Sequence, residues 1–396
     1  MTDKINILYM SRTSKLTGPE NILIDVIKRL DNNRFSPVVV LPDRNGPFFE
    51  KLQLHRINTA IKKIPFLRVT YNPLLLIWFF INILVFNFNF LFFFKKHNID
   101  LVVCNTIQET VYVSIPAKIL KRKLIVCFKN ILDKKWKKKL RAHFCDIFAD
   151  GIIAVSNKTM EDYTLFSSKK RSAGKHVSVI YDGIDCEGFR KDFKESEIVR
   201  KYVEGNKDFI ILNIGNLTEL KGQILLLEAV NSDKIRNLNV RVLLLGDVYH
   251  KSEMPYKEEI IKFIDKNDLS EKVSMAGYQP DIRSFLNAAD ILVHCPIKDD
   301  AFPRVILEAF CYGRIVVATK IGGIPEMVKD GYNGFLCEAN KKSLVDKILY
   351  VYENKNRLGH IVENAMKSVR EEFNIGSQVT QTEKIYNKIL GFQEIE

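Results

Sequence analysis

The sequence predicts an α/β protein made of two doubly wound domains, each with a parallel sheet covered by helices on both faces. Short apolar runs alternate along the whole chain with segments of helical periodicity, a pattern typical of parallel sheets that are buried on both sides. The 396 residues are enough for two or three domains. Hydrophobic residues make up 46% and charged residues 27% of the chain, as in folded soluble proteins.

Ten apolar runs are predicted to be strands, five in each half of the chain. In the first half they are Ile5–Met10, Pro37–Leu41, Asp100–Cys104, Leu124–Cys127 and Gly151–Val155. In the second half they are Phe209–Ile214, Val240–Leu245, Val273–Ala276, Ile291–His294 and Ile315–Ala318. Between the two sets, Val179–Asp185 is predicted to be a strand that ends in a turn. The domain boundary is placed just after it, which separates residues 1–188 from residues 189–375.

Residues 73–94 form an apolar run of 22 residues without a charge. Its length alone would allow a membrane span. However, a span here would place the flanking strands on opposite sides of a membrane, and asparagines 82, 87 and 89 interrupt the run. Two alternatives are left: a buried crossover helix, or a helix whose outer face enters the surface of a bilayer.

Positive charge is concentrated in the same half of the chain. Residues 1–180 contain 30 Lys and Arg against 13 Asp and Glu, whereas residues 181–396 contain 30 against 34. Lys95 and Lys96 follow the apolar run, and residues 134–141 place six positive charges around one Trp. Such a cluster gains about 1 kcal/mol per basic residue near anionic lipid. We therefore expect peripheral attachment to an anionic membrane through residues 73–96 and 134–141, with a solvated helix face as the alternative for 134–141.

The cysteines and the N-terminus indicate the compartment. Seven cysteines stand at positions 104, 127, 145, 186, 295, 311 and 337, without a Cys-x-x-Cys spacing or a His at metal spacing. An odd number of scattered cysteines predicts reduced thiols, not a disulfide framework, and no metal site. The N-terminus carries an acidic residue and no signal-peptide core. The expected location is the cytoplasm, at the inner face of the cell membrane.

Asp300 and Glu308 lie eight positions apart, on either side of a predicted helix start near Pro303. The unpaired N–H groups and the positive dipole end of a helix start attract phosphate. Carboxylates on both sides of a bound phosphate are able to bind hydroxyl groups on two parts of a nucleotide-sugar. A solvated helix face explains an isolated acidic pair equally well, so the neighbouring motifs decide the interpretation.

Two turns that open helices are further candidates for binding phosphate. Gly18 follows the first strand in the turn Thr17-Gly-Pro-Glu20, where a glycine lets the backbone approach a ligand closely. Lys221 lies at a helix start after the first strand of the second domain, where a cation and the helix dipole act together on a diphosphate. Without a ligand, residues 17–20 would be an ordinary turn before a helix, and Lys221 would be an exposed surface lysine.

Together these stretches resemble the family 4 glycosyltransferases. Residues 300–308 resemble the E-x7-E signature with Asp300 at the first Glu, residues 17–20 resemble the G-G-x-E loop, and residues 215–222 resemble G-R-L…K-G with Asn216 at the Arg. Further turns match in family order: Gly277-Tyr278, Gly322-Gly323-Ile-Pro325-Glu326 and Asp330-Gly331-Tyr-Asn333-Gly334. Each motif is weak alone, but their common order argues against a chance match.

The resemblance implies a GT-B fold, in which two Rossmann-like domains face an interdomain cleft and a C-terminal helix (376–396) crosses back to the first domain. It also implies a retaining mechanism without metal or another cofactor. By position, Glu308 binds ribose, Asp300 contacts the sugar, and Lys221 neutralises the leaving diphosphate. Relatives commonly place a His near the sugar, and residues 126–130 of this chain contain none. Lys129 or Asn130 is expected to contact the sugar instead, and Lys129 becomes a third catalytic candidate. The other donor-binding candidates are Gly18, Glu20, Asn216, Tyr278, Phe302, Pro303, Arg304 and Val305.

The resulting hypothesis is a hexosyl- or N-acetylhexosaminyl-transferase of polysaccharide biosynthesis at the membrane. The expected donor is a UDP-sugar first and a GDP-sugar second, and the expected acceptor is a lipid-linked or surface saccharide. Because Asp300 and Asn216 depart from the family pattern, a catalytically impaired partner subunit is the main alternative. An epimerase on the same fold leaves the apolar helix without a role. A nucleic-acid binder is suggested only by the basic half, and no known reader motif supports it.

Overall fold

The computed structural model describes residues 4–65, 72–191, 193–203 and 208–392. It divides into two compact units. The first runs to Asp182 and includes the C-terminal segment from Ile375, and the second spans Gly183–Asn374. The division between Asp182 and Gly183 lies a few residues before the predicted boundary at 188/189. The predicted final segment 376–396 extends past residue 392, where it lies outside the described residues.

Parallel strands form one sheet in each unit. The strands of the first unit are β1 (Ile5–Met10), β2 (Phe35–Leu41), β3 (Asn58–Ile61), β4 (Ile99–Cys104), β5 (Lys123–Phe128), β6 (Gly151–Ala154) and β7 (His176–Val179). Those of the second unit are β8 (Phe209–Ile214), β9 (Val240–Leu245), β10 (Val273–Gly277), β11 (Ile291–His294), β12 (Ile315–Thr319) and β13 (Phe335–Cys337). The spatial orders are β3-β2-β1-β4-β5-β6-β7 and β10-β9-β8-β11-β12-β13. The order therefore reverses between β1 and β4 and between β8 and β11.

Helices connect the strands and cover both sheets. They are α1 (Gly18–Ile27), α2 (Pro47–Leu54), α3 (Pro73–Lys96), α4 (Ile107–Ile119), α5 (Lys135–Phe148), α6 (Asn157–Thr164), α7 (Lys169–Ser172), α8 (Cys186–Arg190), α9 (Glu197–Val203), α10 (Gln223–Val230), α11 (Asp233–Arg236), α12 (Met254–Lys266), α13 (Arg283–Ala288), α14 (Arg304–Cys311), α15 (Ile324–Met327), α16 (Lys341–Asn354), α17 (Gly359–Glu371) and α18 (Ile375–Leu390). Short 3₁₀ turns lie at Glu219–Lys221, Lys251–Glu253 and Lys355–Arg357. Because the crossover helices lie on the two faces, the central strands are buried and mostly apolar. The edge strands β3, β7 and β10 are partly exposed.

The ten predicted strands coincide with observed ones, with ends shifted by up to two residues. The prediction of a strand over Val179–Asp185 is wrong, because the edge strand β7 ends at Val179. After Ile180 the chain leaves the sheet, and Ile184 forms an isolated bridge with Asn374 in the second unit. Buried isoleucines at 180 and 184 produce the apolar signal of a strand in a segment that is only extended.

Helix α3 begins with the side chain of Asn72 accepting hydrogen bonds from Leu74 N and Leu75 N. Its second half packs on the sheet of the first unit, where Phe86, Phe90 and Phe94 are buried. The first half and the outer face are exposed, so the alternative of a fully buried crossover helix is wrong. The described residues contain one helix that is long and apolar enough to cross a membrane, and it is this one.

Cys186 and Cys311 form a disulfide within the second unit, so the prediction that every cysteine is a thiol is wrong for this pair. Helix α8 packs against α14 and brings the two Cα atoms to 5.3 Å, although 125 residues separate them in sequence. Spacing along the chain cannot reveal a pair that helix packing creates. The other five cysteines are free and buried.

Candidate active site

Lys221 lies in the loop that follows β8, on one side of the point where the strand order of the second unit reverses. The 3₁₀ turn Glu219–Lys221 ends at Gly222, which has a φ of +68°. A Cβ atom at Gly222 would lie 2.1 Å from the carbonyl oxygen of Cys295, so only glycine fits this turn. The glycine thereby fixes the position at which Lys221 leaves the backbone.

Asp300 lies in the loop that follows β11, on the other side of the same reversal. Its Oδ2 atom is 2.5 Å from Nζ of Lys221 and 3.1 Å from Nε2 of His294. Gly322 approaches the backbone of Asp300 so closely that a Cβ would lie 2.0 Å from its carbonyl oxygen, and Gly323 N donates to that oxygen at 2.8 Å. Ligands of doubly wound sheets bind where the strand order reverses, which is where these side chains meet.

The surroundings determine the protonation of this cluster. Burial, together with the positive charge of Lys221, lowers the pKa of His294, so the ring is neutral at pH 7 and Nε2–H donates to Asp300. Burial by itself raises the pKa of Asp300, but the attraction of Lys221 and the hydrogen bond from His294 outweigh it and hold this pKa well below its usual range. Asp300 is therefore a carboxylate at neutral pH.

The depressed pKa of Asp300 predicts a specific pH dependence of stability. A lowered folded-state pKa contributes stability that is present above the unfolded-state pKa of about 3.9 and is lost as the pH falls through the folded-state value. We expect Asp300→Asn to lower the free energy of unfolding by about 1–3 kcal/mol at pH 7. Urea unfolding between pH 7 and pH 3 should show this difference shrinking below about pH 4. A difference that stays constant with pH would contradict the assignment.

Glu308 lies on helix α14, one turn after its start, as predicted. Its Oε1 atom accepts a hydrogen bond from Nε of Arg304 at 3.1 Å, and both side chains are largely buried. Pro303 is the N-terminal cap of the helix, and Phe302 packs beside it against the ring of Phe373. Val305 is half-buried in the first turn. The helix start thus presents N–H groups, a guanidinium and a carboxylate to one place.

The other two predicted contacts of the second unit are more exposed. The side chain of Asn216 is exposed, and its backbone oxygen accepts a hydrogen bond from Nε2 of Gln223. Tyr278 follows Gly277 at the carboxyl end of β10 and is 65% exposed, a position suited to stacking on a flat ligand. Neither side chain is hydrogen-bonded to Lys221 or Asp300.

In the first unit, Gly18 and Glu20 open helix α1 after β1. A Cβ atom at Gly18 would meet no atom within 4 Å, so local packing does not require the glycine. Glu20 turns back and accepts hydrogen bonds from the backbone N–H and hydroxyl of Thr17, which makes it part of a capping box. In this structure the carboxylate of Glu20 therefore stabilises the helix start.

Lys129, the third catalytic candidate, follows β5 and is ion-paired with Asp182. Asp182 is buried and also accepts a hydrogen bond from Nε2 of Gln378 on α18, at 3.1 Å. The pair lies at the carboxyl edge of the sheet, as the prediction requires. Asp182 neutralises the positive charge of Lys129, so Lys129 is available to a donor only as part of this ion pair.

Three residues near these sites had no predicted role. His294 lies at the end of the predicted strand 291–294, and its ring position next to Asp300 depends on tertiary packing. Asp182 belongs to the segment that was wrongly predicted to be a strand. Arg12 follows β1 directly, and its buried Nη1 atom forms no hydrogen bond with any described residue. A basic residue just after a first strand is the one signal that was available for Arg12.

Within the described ranges, no group of three or more His, Cys, Asp or Glu side chains is placed to hold a metal ion.

Comparison with protein families assigns each unit separately. Residues 16–187 match the model described as Glycosyltransferase Family 4, and residues 194–368 match the model of Glycosyl transferases group 1. The two matches lie one in each half of the chain and together cover most of it. They include the Gly18 turn in the first match and the residues of the Lys221 and Asp300 cluster in the second.

Curated relatives align with parts of the chain. The N-acetyl-alpha-D-glucosaminyl L-malate synthase of Bacillus anthracis is 24% identical over 61% of this chain and 60% of its own length. An Escherichia coli enzyme, UDP-Gal:alpha-D-GlcNAc-diphosphoundecaprenol alpha-1,3-galactosyltransferase, is 26% identical over 53% of this chain and 54% of its own length. The chain therefore spans little more than half the length of these relatives.

Among solved structures, Anabaena Alr3699/HepE in complex with UDP superimposes with a TM-score of 0.78. The two chains are 25% identical, and the match covers 97% of this chain and 100% of the other. Together with the two parallel sheets, this likeness confirms the predicted GT-B fold.

Proposed function

Because the chain belongs to the family 4 glycosyltransferases, we propose that it transfers a sugar from a UDP-sugar to a lipid-linked or surface-polysaccharide acceptor. The observation that carries the proposal is the cluster of Lys221, Asp300 and His294 at the reversal of strand order, next to the start of α14. The UDP in the Anabaena structure and the diphosphoundecaprenol-linked substrate in the name of the Escherichia coli relative support this donor and acceptor.

The proposed donor complex uses the charges of the second unit. The diphosphate binds at the start of α14, where helix N–H groups and Arg304 attract it, and Lys221 lies beside its leaving oxygen. Glu308 accepts hydrogen bonds from the ribose hydroxyls, and Tyr278 stacks on the base. Lys221 and Arg304 donate hydrogen bonds to the diphosphate while they are paired with Asp300 and Glu308, and the proposed reaction uses no metal.

The proposed reaction retains the configuration of the sugar. The bond between the anomeric carbon and the diphosphate oxygen breaks, and the acceptor hydroxyl oxygen bonds to that carbon from the same face. The hydroxyl proton passes to the departing phosphate oxygen. Lys221 stabilises the negative charge that develops on this oxygen, and His294 keeps Asp300 ionised and oriented. Asp300 in turn holds Lys221 in place.

We also propose that helix α3 attaches the protein to the inner face of the membrane. The helix leaves the carboxyl end of β3 and returns to the start of β4, so it runs antiparallel to the strands. Its 24 residues span about 36 Å, whereas a six-residue strand spans about 20 Å. Phe86 contacts Tyr112 in the middle of α4. Because α4 begins at the carboxyl edge of the sheet, the first turns of α3 extend past that edge, where the ligand-binding loops lie.

The exposed stripe of α3 consists of apolar residues at helical spacing, each at least 43% exposed: Ile77, Ile81, Leu84, Phe88 and Phe92. Burying a fully exposed apolar side chain gains roughly 1.5–3 kcal/mol, so these half-exposed side chains gain about half of that in lipid. An exposed apolar surface of this kind marks an interaction site. Because the stripe is continuous with residues that project past the sheet edge, its insertion would bring a lipid-linked acceptor to that edge.

The basic cluster on α5 contributes less than the sequence predicted. Arg141 is buried and ion-paired with Asp162, and Lys138 pairs with the same carboxylate. Two of the six positive charges in residues 134–141 are therefore paired within the protein, because this part of α5 packs against α6. Lys134, Lys135 and Lys139 are exposed beside Trp136, which is 61% exposed. In the proposed attachment these three lysines supply about 1 kcal/mol each.

Thermal unfolding with UDP, GDP, ADP and their sugars tests the donor. A ligand at about 100 times its dissociation constant adds roughly 2.7 kcal/mol to the free energy of unfolding. We expect the wild type to be stabilised by UDP or UDP-sugars, and Glu308→Ala to lose most of this stabilisation. Glu271→Ala, an exposed carboxylate on the same unit, serves as the matched control. If no nucleotide stabilises the folded wild type, a membrane-docked partner subunit replaces the enzyme hypothesis.

A further inference from the structure

A cavity of about 690 Å³ lies between the last three turns of α3 and the end of the edge strand β3. Lys62, Lys63 and Lys96 line it with positive charge. Its apolar side consists of the exposed ring of Phe92 and of three almost fully buried rings, Phe86, Phe90 and Phe93. Because β3 is the edge strand of the sheet, the cavity lies away from the reversal between β1 and β4. No step of the proposed transfer uses it.

Among the residues that the structure describes, the cations of this cavity have no acidic partner. Lys62, Lys63 and Lys96 form no ion pair with any residue in the described part of the chain, and Nζ of Lys62 lies 5.3 Å from the centre of the Phe93 ring. His97 stacks on the same ring, and burial together with the charges of Lys96 and Lys62 lowers its pKa. Positive charge is thus held beside aromatic rings without a compensating anion.

Phe92 joins this cavity to the exposed stripe of α3. It lines the cavity, is 62% exposed and belongs to the stripe that is proposed to enter the bilayer. A molecule that enters the cavity from lipid therefore passes from an apolar surface to a cationic end. An anionic phospholipid matches this arrangement, because its apolar acyl chains are joined to a negatively charged headgroup.

We propose that the cavity is a binding site for one anionic phospholipid of the bilayer, with the headgroup phosphate on Lys62, Lys63 and Lys96 and the acyl chain along the exposed ring of Phe92. A volume of about 690 Å³ lies within the range of ligand pockets and accommodates the headgroup with the first part of a chain. The inference rests on the proposed membrane attachment, to which it adds a stoichiometric, headgroup-selective contact.

Calorimetric titration with monomeric dihexanoyl-phosphatidylglycerol tests the site without a bilayer. We expect saturable binding of one lipid per chain, weakened at least tenfold in Lys62→Ala/Lys96→Ala. Asn89→Trp, which places a bulky side chain at the wall while leaving the lysines, is expected to block binding as well. The control Lys341→Ala/Lys342→Ala removes two exposed lysines of the second unit and should bind like the wild type.

Other ligands and vesicles separate the outcomes. Equal binding of dihexanoyl-phosphatidylcholine would overturn the headgroup selectivity, and equal binding of glycerol phosphate would show an anion site that does not recognise lipid. Absent binding of the monomeric lipid, with vesicle binding intact, would overturn the site and leave the membrane attachment standing. Lipid binding without vesicle binding would support the site and overturn the attachment.

Discussion

Replacing Lys221 with alanine is expected to lower the turnover of sugar transfer by about 10²–10³-fold, the range seen when one charge-stabilising donor is removed from an active site. Lys221 is held 2.5 Å from Asp300 beside the proposed diphosphate site. Because the negative charge on the leaving oxygen develops only as the sugar bond breaks, the loss should fall mainly on kcat and less on KM. Steady-state assays of UDP release measure both parameters.

A neighbouring lysine provides the control for this variant. Lys298 pairs with Glu219 at the surface, and both side chains are more than 60% exposed. Lys298→Ala should leave kcat and KM unchanged, since exposed pairs contribute little. If Lys221→Ala raises KM without lowering kcat, then the lysine binds the donor in its ground state and the proposed role in the reaction is wrong.

Introducing three charges into the exposed stripe of α3 is expected to abolish binding to vesicles that contain anionic lipid. The variant Ile81→Glu/Leu84→Glu/Phe88→Glu replaces side chains that are 43–59% exposed and point away from the core. It removes roughly 0.7–1.5 kcal/mol of lipid burial per residue, since each side chain is about half exposed, and places carboxylates against an anionic surface. Co-sedimentation with vesicles measures the loss, which should exceed tenfold in apparent affinity.

The matched control uses isolated apolar residues of the same unit. Leu54 and Leu165 are 77% and 72% exposed and lie outside α3. Leu54→Glu/Leu165→Glu should bind vesicles like the wild type, and both variants should keep the thermal stability of the parent. Should the α3 variant still sediment with vesicles, the helix is covered by something other than lipid.

The sequence predicted the strands well because a parallel sheet that is buried on both faces requires continuous apolar runs. It missed β3 and β13, which are four and three residues long and lie at the sheet edges. A short edge strand such as β3, which is exposed or half-exposed throughout, carries too few apolar residues to be distinguished from a loop. The same argument explains why a strand was predicted at Val179–Asp185 and not at β7 (His176–Val179), which is also mostly half-exposed.

The candidate site was predicted where its residues follow a local pattern. Lys221, Asp300 and Glu308 lie in turns and at a helix start, so their positions could be inferred from spacing. Contacts that form only through packing could not be inferred from the sequence. Examples are the hydrogen bond from His294 to Asp300 and the ion pair of Lys129 with Asp182, which depend on how the strands and loops pack. The buried pairing of Arg141 was hidden for the same reason, since a basic run suggests a solvated face.

The measurement that tests the central claim most directly is transfer itself. The wild-type protein is incubated with UDP-sugars labelled in the sugar and with a lipid extract of bacterial membranes. UDP release and label in the organic phase are then followed together. The proposal predicts that one UDP-sugar releases UDP in step with labelled lipid, and that both depend on the extract. If the folded protein releases no UDP and labels no lipid with any donor, it is not the proposed transferase.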